Sequence, residues 1–173
     1  MNANEVLIDL LDDNQRRLKR MLKPQPGPFP EACLGYQPDP GANNITVTLW
    51  HMGRLFDLFL NQFVLGQPAA EEAWFRGGFA ACYSYNPLGL GQDGWGTLNG
   101  YTPDEVRAMP VFSLEDLLAY LDQVYAEVRA YLLETPEADL FLPAPGFEGR
   151  FTRYQVIQMA LMDNIRHLGE LYA

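Results

Sequence analysis

The chain has 173 residues, 48% hydrophobic and 20% charged, with a formal charge of −10 and a pI near 4.5. That length suits one domain spanning residues 1–173 with its own buried core, and the composition excludes a fibrous or disordered chain. The negative charge opposes the phosphate attraction that underlies most nucleic-acid binding, so DNA and RNA are not expected partners.

The opening segment MNANEVLIDLLDDNQRRLKR carries acids before bases and no cleavable apolar run. Nowhere does the chain reach the roughly 20 consecutive apolar residues that span a bilayer, so no membrane partner is expected and the protein reads as cytoplasmic. Val6, Leu7, Leu10, Leu11, Leu18, Met21 and Leu22 recur at helical spacing and predict a first helix over residues 5–23, ended by Pro24. Arg16, Arg17, Lys19, Arg20 and Lys23 crowd its end, where cations complement the helix dipole. Residues 25–41 are dense in proline and glycine and predict an extended, ordered loop. Cys33 and Cys82 have neither redox-motif nor zinc-finger spacing and read as free, buried thiols.

A second, very apolar helix is expected to start at a cap on Asn43 or Asn44 and to carry Val47, Leu49, Trp50, Leu55, Phe56, Phe59, Phe63 and Val64 to a stop at Gly66. Residues 67–112 then form a long connection rich in glycine and aromatics, with one short helix opened by the capping box Thr102-Pro103-Asp104-Glu105. Trp74, Trp95, Tyr83 and Tyr85 in that stretch either line a pocket or pack the loop on itself, and packing is the commoner role. Ser113 opens a third helix that runs to Pro136, and Thr152 with Gln155 opens a fourth through Val156, Ala160, Ile165, Leu168 and Leu171. Four amphipathic helices of this kind argue for an all-α four-helix bundle, and spacing alone leaves their directions open.

Two helices place polar residues where the core should be. On the second, His51 shares its face with Leu55, Leu58 and Phe59; on the fourth, Asp163 and His167 share one with Val156 and Ala160. Residues four apart lean to one side of a helix, so Asp163 and His167 can hold one ion. If His51 faces them, the set becomes two imidazoles and a carboxylate, a three-ligand arrangement with positions left open. The alternative is a metal-free His–Asp hydrogen bond, joined by Arg54 or Arg166. No nucleophile elbow surrounds Ser84, no phosphate loop is formed by GLGQDGWG, and no H-E-x-x-H occurs.

The phrases LWHMGRLFD and DNIRHLGELY resemble the DinB-like, YfiT-like superfamily. That resemblance implies a bundle running up-down-down-up, with a long connection between helices two and three and a metal held by one histidine on the second helix and an H-x-x-x-H-x-G-Q motif on the last. His51 and His167 fall on the family's first and last ligands, Asp163 on its middle histidine, and Glu170, behind the ligands, on its glutamine. The implied ion is zinc, nickel, iron or manganese. The implied activities are those of mycothiol-dependent maleylpyruvate isomerases and bacillithiol S-transferases, in which a metal-bound low-molecular-weight thiol becomes the nucleophile; metal-assisted hydrolysis is a variant. Arg54, one turn beyond His51, is a candidate for holding a carboxylate of the small-molecule substrate, against a plain surface role. A non-catalytic bundle that dimerises or binds a ligand, with Asp163 marking a degenerate site, is the competing reading. Family members often form homodimers through bundle helices.

Overall fold

The computed structural model describes residues 2–22, 31–37, 39 and 42–172. Its long elements are four helices: α1 (Ala3–Leu22), α2 (Ile45–Leu58), α3 (Leu114–Glu134) and α4 (Arg153–Tyr172). No strand occurs among the described residues, so the chain is all-α. Among the described residues, no helix is long and apolar enough to cross a membrane.

Each helix starts where a side chain satisfies its free amides. Asn2 accepts from the Glu5 amide at 2.9 Å while Glu5 reaches back to the Asn2 amide. Asn44 accepts from Val47, and Ser113 from Asp116. Thr152 and Gln155 exchange bonds as the capping-box pattern predicts. α2 does not stop at Leu58: Phe59–Val64 continues as a wider π-helical turn, and the Leu65 amide bonds the Leu60 carbonyl at 3.0 Å. α1 ends at Leu22, and the expected stop at Pro24 lies outside the described residues, as does much of the expected loop over 25–41. Within that loop Glu31–Leu34 forms a helical turn where an extended chain was expected.

α1 packs on α3 and α4, and α2 packs on the same two. The buried face of α1 is Asn4, Leu7, Leu11, Asn14, Leu18 and Leu22, which turns Leu10, expected inside, out to 43% exposure. On α4, Leu161 and Asn164 take the inner positions and Ile165 faces out. A chain of buried hydrogen bonds crosses all four helices: Asn14 donates to Tyr125 Oη at 2.8 Å, Tyr125 to Asn164 Oδ1 at 3.2 Å, and Asn164 to the Met52 carbonyl at 3.2 Å. At the other end of α1, Asn4 donates to the Leu132 carbonyl at 2.6 Å. The basic end of α1 is solvated and locally paired, Arg16 and Arg17 with Asp13 and Lys19 with Asp122.

The connection over 67–112 holds more helix than expected. Besides Pro103–Arg107, it forms short turns at Ala69–Glu71, Ala73–Arg76, Phe79–Cys82 and Gln92–Gly94. Its aromatics pack it onto α2 and α3. Trp74 is buried edge-on against Trp50 at 5.9 Å, Tyr85 meets Trp50 at 5.7 Å, Tyr83 meets Phe112 at 5.0 Å, and Trp95 meets Phe63 at 5.1 Å. Cys33 and Cys82 are free as expected but exposed, because both sit on short turns outside the four-helix core.

Candidate metal centre

Asn44 starts α2 so that His51 arrives on the face turned to α4, while Asp163 and His167 come from adjacent turns of α4. The structure brings these three together: one donor atom from each lies within 4.8 Å of the other two. His51 and His167 are buried and Asp163 is partly exposed, so the cluster sits at the edge of the core. The imidazoles meet edge to face, with centroids 4.7 Å apart.

The hydrogen bonds decide which ring atoms face inward. Nδ1 of His51 contacts the main-chain carbonyl of Thr97, and a carbonyl only accepts, so this nitrogen carries the proton. Nδ1 of His167 lies 2.6 Å from Glu170 Oε2 and donates for the same reason. Both Nε2 atoms then face Asp163 Oδ2, at 3.0 Å from His51 and 3.3 Å from His167. Two imidazole lone pairs and a carboxylate oxygen thus converge, and either extra protons or a cation must lie among them. This is the pattern of ligating histidines, whose outer nitrogen is oriented by a carbonyl or carboxylate.

One cation already borders the group. Arg166 donates to Asp163 Oδ1 at 2.6 Å and reaches His167 Nε2 at 3.1 Å, with its side chain 62% exposed at the mouth of the site. Burial alone would raise the Asp163 carboxyl, but hydrogen bonds from His167 and His51 outweigh it and hold the group well below the usual carboxylate range. For His167, burial disfavours the charged ring, but Asp163 and then Glu170 overcome it and raise its pKa.

Arg54 is placed neither at the mouth nor on the surface. Its side chain is completely buried, with Nη1 2.5 Å from Glu72 Oε2 and 3.7 Å from Asp57 Oδ2, and Nε donating to the Gly96 carbonyl at 3.3 Å. It is therefore not free to hold a substrate carboxylate. Burial pushes the Asp57 carboxyl up to about 6 against the pull of Arg54 and of the Trp74 amide. Thr97, Glu72 and Asp57 are additions that sequence reasoning missed. Asp57 had a visible signal, since His51, Arg54, Asp57 and Asn61 form one polar stripe along an otherwise apolar helix. A cavity of about 900 Å³ lies elsewhere, beside Leu22, Asn44, Val47 and Phe112, and none of the three clustered residues lines it.

The family model described as the DinB superfamily matches residues 7–171, so the chain belongs to that superfamily. Among solved structures, it resembles the crystal structure of a conserved protein from Enterococcus faecalis, with a TM-score of 0.78 and 20% identity over 99% of this chain and 94% of that one. At that identity the likeness concerns the fold. No curated protein matches the chain.

Proposed function

We propose that this member of the DinB superfamily is a divalent-metal-dependent enzyme, that residues 1–173 form one domain, and that His51, Asp163 and His167 hold the ion. The observation that carries this reading is the convergence of both Nε2 atoms on Asp163 Oδ2 while both Nδ1 atoms are committed elsewhere. Three protein ligands would leave positions open for a small molecule. The helices run up-down-down-up in this reading: Asn4 with Leu132 and Asn14 with Tyr125 set α1 against α3, Gly53 with Tyr120 and Phe56 with Tyr125 support α2 running parallel to α3, and Asn164 with Tyr125 and Tyr172 with Arg17 support α4 running with α1.

A zinc, nickel, iron or manganese ion held there would make a bound low-molecular-weight thiol, or a water, nucleophilic at neutral pH. The activity we favour is thiol-dependent transfer or isomerisation of a small molecule; metal-assisted hydrolysis uses the same residues and is separated by whether turnover needs the thiol. The chain's own part is orientation and charge. Thr97 and Glu170 fix the rings, and Asp163 supplies the anionic ligand. Arg166 sets a guanidinium at the mouth, where it can hold an anionic group of a substrate.

A second reading is supported by Arg166 itself, whose guanidinium bonds both Asp163 and His167 and so can satisfy them in place of a metal. In that reading the bundle is non-catalytic. Elemental analysis of protein purified without chelator or histidine tag separates the two, with His51→Ala and Asp163→Ala prepared alongside. Near-stoichiometric metal in the parent, lost in both variants, is the expected result, followed by a screen of thiol-dependent reactions. A parent that stays metal-free after reconstitution would overturn the metal reading and favour the non-catalytic one.

A further inference from the structure

The connection over 67–112 reaches the candidate centre through the segment Trp95-Gly96-Thr97, whose Thr97 carbonyl meets His51. Three successive carbonyls of this segment turn toward α2. Those of Trp95 and Gly96 lie 3.5 and 3.3 Å from Nη2 and Nε of Arg54, and that of Thr97 meets Nδ1 of His51. Successive carbonyls of an extended chain point to opposite sides, so their convergence requires a backbone reversal. Gly96 supplies it with φ of +63°, and a Cβ there would lie 2.3 Å from the Pro87 carbonyl oxygen. The two receivers, His51 and Arg54, are three residues apart and share one face of α2.

Arg54 is itself immobilised from behind. Glu72 takes Nη1 at 2.5 Å. Asp57, 3.7 Å away, is fixed by Tyr120 Oη at 2.8 Å and by the amides of Ala73 and Trp74 at 2.8 and 2.9 Å. A buried guanidinium with these partners cannot swing away without leaving an unpaired charge in the core. A lysine in its place would have no planar fork to bind Glu72 and two carbonyls at once.

We infer that Arg54 and Gly96 are positioning residues for His51: they hold the Thr97 carbonyl against Nδ1 and so direct Nε2 at Asp163 and His167. The effect on an ion rests on the metal reading above; the effect on the ring does not. Released from this carbonyl, the ring of His51 can rotate or move its proton to Nε2, and in either case a ligating lone pair is lost.

The test uses metal-free protein labelled with ¹⁵N in its histidine rings, which gives two ring spin systems because the chain has 2 histidines. The parent is expected to show a solvent-protected Nδ1–H proton on His51. Arg54→Lys and Gly96→Ala are expected to lose that signal while keeping the one from His167, and to bind zinc about 10- to 100-fold more weakly. Folded variants that keep both the His51 signal and the parent's zinc affinity would overturn the proposal. So would a parent that lacks the His51 Nδ1–H proton, a result that needs no variant to fold. A parent that shows the signal but binds no zinc overturns the metal reading alone, and the loss or retention of the signal in the variants then judges the clamp.

Discussion

Nε2 of His51 stands 3.0 Å from Asp163 Oδ2, although the two residues are 112 positions apart in the chain. That close contact, which needs a proton or a cation between the ring nitrogen and the carboxylate, makes the charge of Asp163 the quantity to vary. Asp163→Asn replaces one oxygen by an NH₂ group that can donate to both Nε2 atoms, so the metal-free fold should keep its stability to within about 0.5 kcal/mol. Metal affinity should fall by more than the 10- to 100-fold loss typical of a residue behind the ligands. Equal affinity in the two proteins, measured by competition with a chromophoric chelator, would remove Asp163 from the ligand set.

The raised pKa of His167 fixes the sign of a pH dependence. A histidine whose pKa is higher in the folded state contributes stability that is complete below its unfolded value near 6.5 and is lost as the pH rises through the folded value. The Tm of chelator-treated protein should therefore fall over that interval, and His167→Gln should flatten the slope. Asp163, held well below the usual carboxylate range, keeps its charge throughout. With zinc present the trend reverses, because ligation needs the neutral ring, so the gain in Tm from added zinc should grow with pH. A zinc-induced gain that is constant from pH 6 to 8 would contradict ligation by His167.

Arg166 competes with an ion for Asp163 and His167 from a mostly exposed position. Exposed ion pairs contribute about 0–1 kcal/mol, so Arg166→Ala should raise zinc affinity by up to about fivefold and lower metal-free stability only slightly. Calorimetric titration at two salt concentrations checks this, since the difference should shrink at high salt. Weaker zinc binding in Arg166→Ala would mean that the guanidinium supports the site and does not compete for it.

Much of this arrangement was legible in the sequence, and the reasons differ by residue. The four long helices followed from apolar spacing and from caps at Asn44, Ser113 and Thr152, because both signals are local. The pairing of Asp163 with His167 was legible for the same reason; spacing put His51 on an inward face as a conditional third member, and the family resemblance matched it to a ligand position. The Thr97 carbonyl was not, since any residue offers a carbonyl and only the tertiary path of the 67–112 connection aims this one. Arg54 misled because arginine near a candidate site suggests ligand binding, whereas its partner Glu72 comes from across that same connection. Ile165 and Leu10 show the opposite limit: helical spacing admits neighbouring phases, and burial of Asn164 and Asn14 chose between them.

The polar chain Asn14–Tyr125–Asn164–Met52 ties all four helices together within the core. Tyr125→Phe removes the shared hydroxyl and leaves the Asn14 amide and Asn164 Oδ1 without it. At roughly 1–3 kcal/mol per unsatisfied buried group, unfolding in urea should reveal a loss of at least about 2 kcal/mol. A loss below about 0.5 kcal/mol would show that water or a rearranged amide replaces the hydroxyl.

At Gly53, α2 and α3 approach closely: a Cβ there would lie 2.6 Å from Tyr120 Cε1 and 2.9 Å from Cδ1. In an exposed helix, Gly→Ala would stabilise by about 1 kcal/mol through backbone entropy. Here overpacking, typically 1–3 kcal/mol, opposes that gain, and the ring that must move is the one whose hydroxyl bonds Asp57. Gly53→Ala should therefore be destabilised, and its zinc affinity should fall as Asp57 loosens its hold on Arg54. Tyr120→Leu leaves room for the methyl group, so the double variant should be more stable than the sum of the two single losses predicts. Strict additivity in that cycle would show that the ring is not what the methyl group meets.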